Sequence, residues 1–227
     1  LYAAIDADGA CFFGVEPSFE KVMTSLREPG LVLVDIPIGL PPPGQSGRQC
    51  DRLARRAISP RGSTVFSPPG RDAIAAPGYE AACEANQRLH GQKISLQSWN
   101  IAPKIGEVDR YLRNAVWSPA IREMHPEVAF WALNGRVPLP ESKKSAAGLE
   151  ARLDVLERHF PPARECYEGF LAATARADVA RDDIVDALVG AVTAIRAPRL
   201  ACFPGQPPRD EFGLPMEIVF ADPDAFG

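Results

Sequence analysis

No stretch of the chain comes near the ~18 consecutive apolar residues that a membrane-spanning helix requires, so no membrane partner is expected. Cysteine is scarce and scattered. There are five, Cys11, Cys50, Cys83, Cys166 and Cys202, and no Cys-x-x-Cys. That pattern excludes a disulfide framework or a zinc site of ordinary spacing and predicts free thiols in a reducing cytosol. The three histidines, His90, His125 and His159, do not cluster. Gly-x-x-x-x-Gly-Lys-Ser/Thr, Gly-x-Gly-x-x-Gly and Gly-x-Ser-x-Gly are all absent, which counts against P-loop kinases, dinucleotide enzymes and serine hydrolases. The opening Leu-Tyr-Ala-Ala-Ile-Asp has neither the basic residues of a secretion signal nor an initiator methionine. A basic excess is also missing: 25 Lys and Arg against 29 Asp and Glu give −4, so bulk charge does not draw this chain to nucleic acid.

What is present is 227 residues, enough for one large domain or two small ones. Apolar residues make up 46% and charged residues 24%, ordinary values that exclude disorder and coiled coil. Proline is abundant at 23, about twice the usual share of roughly 5%, and predicts long ordered loops. Charge is unevenly spread. Between Gly44 and Arg71 lie Arg48, Arg52, Arg55, Arg56, Arg61 and Arg71 with one acid, Asp51, a local +5 that leaves −9 for the remainder.

Asp8-Gly9 between Tyr2–Ile5 and Ala10–Val15 predicts a hairpin, because both central residues of a type I′ turn need positive φ. Ser18 caps a short helix that Pro29-Gly30 stops. Leu31–Val34 reads as a strand buried on both faces. Proline-rich loops follow, flanking a helix over Arg48–Ala57. Helices are expected over Pro77–Leu89, Asn100–Ala115, from Pro126 to Gly135, after Ser145, over Ala163–Ala173 and over Asp182–Arg196. Strands are expected at Ala120–Met124, Leu200–Phe203 and Met216–Phe220. Strands interleaved with helices give an α/β class: a mixed sheet flanked by helices, in one domain over 1–227 with a large insertion at about 37–119 after the central strand.

Four clusters could carry chemistry. Asp35 follows the buried strand and precedes a proline-glycine turn, where α/β sheets place ligands. Asp183 and Asp186, three apart, project from one face of the last helix; the competing reading is acids favoured by the helix dipole. Glu123, His125 and Glu127 surround a strand-to-helix junction. Arg48, Asp51, Arg52 and Arg55 share a helix face, and arginine suits bidentate phosphate binding or a salt-bridged surface helix. Lys143-Lys144 between Ser142 and Ser145 adds cations at a helix N-terminus.

The segments Val34–Leu40 (VDIPIGL), Arg48–Arg55 (RQCDRLAR), Val65–Arg71 (VFSPPGR), Tyr79–Leu89, Ile94–Lys104 (ISLQSWNIAPK), His125–Asn134 (HPEVAFWALN), Ser142–Lys144 and Asp182–Leu188 together resemble the DUF429 family, predicted to be nucleases of RNase H-like fold. The resemblance implies two-metal phosphodiester hydrolysis with Mg²⁺ or Mn²⁺. Asp35, Asp183 and Asp186 would be metal ligands and, with Glu127, catalytic. Arg48, Asp51, Arg55, Arg71, Gln97, His125 and Lys143 would bind substrate, a nucleic acid of unspecified type. It further implies a first strand upstream of Leu1 that carries another acid; the alternative is that Ala4-Ile5-Asp6 is that strand. The location expected is cytoplasmic, and homo-oligomerisation is left open. The competing classes are a non-catalytic binding or scaffold module and a sugar-kinase-like phosphotransferase.

Overall fold

The structure is a computed structural model, and it describes residues 1–26, 28–114, 120–175, 179–197, 199–222 and 224. It opens with the expected hairpin: β1 (Tyr2–Ile5) and β2 (Cys11–Gly14) pair antiparallel, Ile5 opposite Cys11. Gly9 supplies the positive φ of 83°. Asp6 Oδ1 accepts from the Asp8 and Ala10 amides, so Asp6 serves the turn. Ser18 caps α1 (Phe19–Ser25) by accepting from Lys21 N.

β3 (Val32–Val34) pairs in parallel with β4 (Ile121–Glu123), Val34 opposite Glu123. A parallel bridge from Met124 to Val219 links β4 to the antiparallel pair of β5 (Leu200–Phe203) and β6 (Ile218–Ala221). The sheet is therefore mixed, as expected. Among the described residues, however, β3 has a ladder partner on one edge only, and β1 pairs with β2 alone.

The helices are α2 (Gln49–Ala57), α3 (Arg71–Ile74), α4 (Tyr79–His90), α5 (Leu96–Asn114), α6 (Pro126–Leu133), α7 (Ala146–His159), α8 (Ala163–Ala173) and α9 (Arg181–Ala194). α5 starts earlier than its apolar spacing predicts, because Ser95 Oγ accepts from Ser98 N. It also continues through Pro103, whose missing N–H and ring clash are offset by burial of Ala102, Ile105, Val108 and Leu112 on one stripe. The expected end at Ala115 and the end of the insertion, 115–119, lie outside the described residues.

α9 is the spine of the largest core. It packs against β1, β3, α6, α7 and α8. Ile184, Leu188 and Val192 are fully buried on its inner face with Phe130, Leu153, Leu156 and Val219. Each such side chain contributes roughly 1.5–3 kcal/mol. At Gly190 an added Cβ would stand 3.1 Å from Met124 Cε, so a small residue there lets the helix lie close to the sheet. A second core seats α2 on α6 and β6 through Cys50, Ala54, Ile58, Val128, Trp131 and Ile218. The arginine-bearing insertion is thereby fixed to the sheet and does not project as an independent arm.

Candidate functional site

The parallel register decides what meets what. Val34 lies opposite Glu123, and Met124 N donates to Val34 O at 3.0 Å. The next residues, Asp35 and His125, therefore leave the sheet together at its carboxyl edge. The first turns of α9 arrive at the same edge. There the Asp35 carboxylate is pushed well above the ordinary carboxylate range, by burial first, then by Asp186, Glu123 and Asp183, with Lys143 opposing. Asp35 still offers more than a third of its surface to solvent. Its carboxylate is thus reachable from outside while crowded by protein, and the crowding sets the direction of the shift.

Lys143 sits among these acids. Its Nζ is 2.5 Å from Asp186 Oδ2 and 3.7 Å from Asp182 Oδ2. Burial, relieved only in part by Lys143, pushes Asp186 up to about 6. The sequence pattern paired Asp183 with Asp186, but it is Asp182 and Asp186 that share the lysine. They stand four apart, a spacing that shares a helix face as well as three does, and that signal was available. Asp183 is exposed and acts on Asp35 through space. Beside them a cavity of about 180 Å³ opens between the starts of α7 and α9, lined in part by Lys143, Lys144, Ser145, Arg181 and Asp182.

The arginine segment departs from expectation. Arg48 is 1% exposed. Its Nη1 donates to Glu123 Oε2 at 2.6 Å and to the carbonyls of Ile38 and Gly39, its Nη2 to Glu123 Oε1 at 2.8 Å and Asp51 Oδ1 at 2.5 Å, and its Nε to Asp51 Oδ2. Burial opposes the Arg48 charge, but Asp51 and Glu123 outweigh it and hold the guanidinium well above its usual value. Glu123 itself is pushed up to about 7, by burial first and by Asp51, against the pull of Arg48. Two buried acids thus share one guanidinium. Arg71 binds Asp109, Asp210 and Glu211, and Asp210 in turn accepts from Leu40 N at 3.1 Å. Arg55 donates to Val65 O and Ser67 Oγ. In this packing Arg48 and Asp51, expected to bind phosphate, are buried and bound to each other; Arg71 is paired with three acids, and Arg55 is half-buried with Nε and Nη2 engaged. Arg48, Glu123 and Asp210 bolt down the loop that follows Asp35, since Glu123 Oε2 also accepts from Ile38 N at 2.6 Å.

A family model described as "Protein of unknown function (DUF429)" matches residues 1–209. The chain belongs to the DUF429 family. No curated protein and no solved structure matches it.

In this DUF429 chain Glu127, expected among the catalytic acids, is 7% exposed and held by Arg152 Nη2 at 2.7 Å, with Arg61 Nη2 at 3.4 Å. Arg152 is itself buried and also donates to the Glu141 and Gly148 carbonyls. Glu127 therefore ties α6 to α7, and its charge also reaches Asp186 and His125. His125 Nε2 lies 3.3 Å from the Thr64 carbonyl, a contact that makes Nε2 the donor. Its Nδ1 is then a buried acceptor without a partner among the described residues. Burial, foremost, keeps the ring's pKa below the ordinary histidine value. Gln97 is exposed near the start of α5.

Carboxylate oxygens suit a hard divalent cation, and the mutual repulsion of Asp35, Asp183 and Asp186 is the charge pattern a cation relieves. In the packing observed, no three His, Cys, Asp or Glu side chains among the described residues converge into a ready coordination shell. The charge next to Asp186 is supplied by Lys143. The DUF429 site thus has the donor chemistry for a divalent ion together with an internal counter-ion in its place.

Proposed function

We propose that this DUF429 protein is a metal-dependent nuclease of RNase H-like architecture, hydrolysing nucleic-acid phosphodiesters with Mg²⁺ or Mn²⁺. The observation that carries the reading is the gathering of Asp35, Asp183 and Asp186 at the carboxyl ends of two parallel strands, where repulsion and burial raise Asp35 and Asp186. The architecture has a second support. α9 packs against both β1 and β3, which among the described residues do not pair with each other; an RNase H-like sheet sets one more strand between two such elements.

In this reading Asp35 and Asp186 would hold the ions and Asp183 would add negative charge. When bound, the ions would supply a water of lowered pKa and neutralise charge at the phosphate. Lys143, paired with Asp186 in the free protein, would offer its ammonium to a phosphate oxygen. His125 Nδ1, held as an acceptor by the Nε2 contact to Thr64, receives a hydrogen bond from a substrate or water hydroxyl. The buried pair of Arg48 and Glu123 keeps the Asp35 loop from yielding as charge develops.

The test is cleavage of single-stranded, duplex, hybrid and branched nucleic acids, with and without EDTA. Asp35→Asn and Asp186→Asn are expected to lower the rate by at least ~10²-fold each, because a lost carboxylate removes binding and charge together. Cleavage that survives EDTA, or equal rates in wild type and Asp35→Asn, would rule the reading out.

A second reading has an observation of its own. Lys143 neutralises Asp186, while Arg48, Arg71 and Arg152 neutralise Glu123, Asp109 and Glu127. A binding or scaffold module satisfies its acids internally in this way. Calorimetric titration with Mn²⁺ separates the two: the nuclease takes up the ion and loses that uptake in Asp186→Asn, whereas the scaffold gives no heat in either.

A further inference from the structure

Two thiols that take no part in this site meet where the hairpin packs on α8. Side chains two apart share a face of a strand, so Cys11 and Phe13 face the same way from β2. Side chains four apart share a face of a helix, so Cys166 and Phe170 do so from α8. The Phe13 and Phe170 rings stack, with centroids 4.6 Å apart and planes at 17°. One step along the same seam, Cys11 and Cys166 pack against the same core close enough to influence each other. Both are free and partly exposed. The other cysteines are elsewhere engaged. Cys50 is fully buried beside Asp51, Cys83 contacts the Ile94 carbonyl, and the Cys202 thiol donates to Pro204 O.

We propose that Cys11 and Cys166 form a redox-active dithiol site whose co-substrate is a small-molecule disulfide such as glutathione disulfide, and that its oxidised form covalently locks the hairpin to α8. The exchange proceeds in two steps. The Cys166 thiolate attacks one sulfur of the external disulfide; that S–S bond breaks, one thiol leaves, and a mixed disulfide remains on Cys166. Cys11 then gives its proton to solvent and attacks the Cys166 sulfur, forming the internal bond and releasing the second thiol. The protein loses two protons and two electrons, and the external disulfide gains both as it becomes two thiols. Burial, with Cys166 second, pushes the Cys11 thiol up to about 12, so Cys11 is the resolving thiol and closure is slow. The bond has a structural consequence near the carboxylates. β1 and α8 both pack on α9, so joining β2 to α8 clamps the helix that carries Asp182, Asp183 and Asp186.

The experiment treats the full chain with glutathione disulfide under native conditions, blocks remaining thiols, and maps peptides without reductant. The expected product is one linked pair containing Cys11 and Cys166, two hydrogens lighter than the separate peptides. Its Tm should rise by about 5 °C or more and return on adding dithiothreitol. Cys11→Ser should stop at a mixed disulfide on Cys166, and Cys166→Ser should give no internal bond. A glutathione adduct that persists on wild-type Cys166, a linked pair involving another cysteine, or no reaction of the folded protein would each overturn the proposal.

Discussion

Asp186→Asn should make the protein more stable at neutral pH, and the size of the gain can be worked from the site. In an unfolded chain the Asp186 carboxyl titrates near 3.8; in the fold, burial raises it to about 6 in spite of Lys143. Between those values the folded state binds more protons than the unfolded one, so stability falls as pH rises through the window. A shift of about two units at 1.36 kcal/mol each sets a ceiling of about 3 kcal/mol, and partial exposure of the site reduces the working figure to about 1–3 kcal/mol. Asparagine keeps the shape and cannot ionise. The variant should therefore match wild type at pH 4 and exceed it by that amount at pH 7, measured as urea-unfolding free energies across the range. Glu123 and Asp35 shift in the same direction, so the Asn variant should retain part of the decline with pH. Divalent ion refines the test of the proposed function: at ten times its Kd, Mn²⁺ should return about 1.4 kcal/mol to wild type and little to the variant. A variant less stable than wild type at pH 7, or a difference independent of pH, would show that Lys143 satisfies Asp186 and that the carboxylate is under no strain.

Arg48→Met should cost about 3–5 kcal/mol in urea unfolding, because it leaves Asp51 and Glu123 buried without their shared cation; a loss below about 1 kcal/mol would place Arg48 at the surface, as the sequence pattern suggested. Glu127→Ala should cost about 3 kcal/mol by stranding Arg152, with the same loss whether or not Mn²⁺ is present; a variant of native stability that has lost only activity would restore Glu127 to the catalytic set. Gly39→Ala should cost about 1–3 kcal/mol, since φ is +72° and an added Cβ would stand 2.7 Å from Pro215 O; native stability there would refute the tight fit of the Asp35 loop.

Most of the secondary structure was legible because it rests on local chemistry. The Asp8-Gly9 turn, the Ser18 and Ser145 caps and the apolar stripe of α9 each announce themselves within a few residues. α5 was misjudged at its start because Ser95 caps a turn with no apolar spacing of its own. Its continuation through Pro103 is a tertiary effect, set by burial of its apolar stripe against α1, α3 and β3. The site was half legible. Asp35 and Asp186 could be found because an acid beside a buried strand and acids on an apolar helix are both costly unless used or paired. The arginines misled because a +5 stretch reads as a surface until the fold supplies its partners. Glu123, Asp109 and Asp210 lie 75, 38 and 139 residues away from the arginines that bind them. No spacing rule spans such separations.

Those long-range pairs change what the arginine segment is for. Had it been a cationic wall over the carboxylates, its charges would have competed with any divalent ion and lowered the acids' pKa. Instead Arg48 and Arg71 are neutralised at the base of the Asp35 loop, and Lys143 opposes the rise at Asp35. One lysine cannot balance Asp35, Asp182, Asp183 and Asp186. The loop is held rigid by buried ion pairs while its carboxylate is left under-compensated at an edge open to solvent. Such a division spends stability on a charge that folding alone does not require. Lys143→Met isolates that excess. With the ammonium gone, Asp35 and Asp186 should titrate higher still, and the fall in stability between pH 4 and pH 7 should steepen. Divalent ion should then bind more tightly, having no internal cation to displace. Weaker ion binding in Lys143→Met would mean that the lysine helps to build the ion's site, and the counter-ion argument would fail.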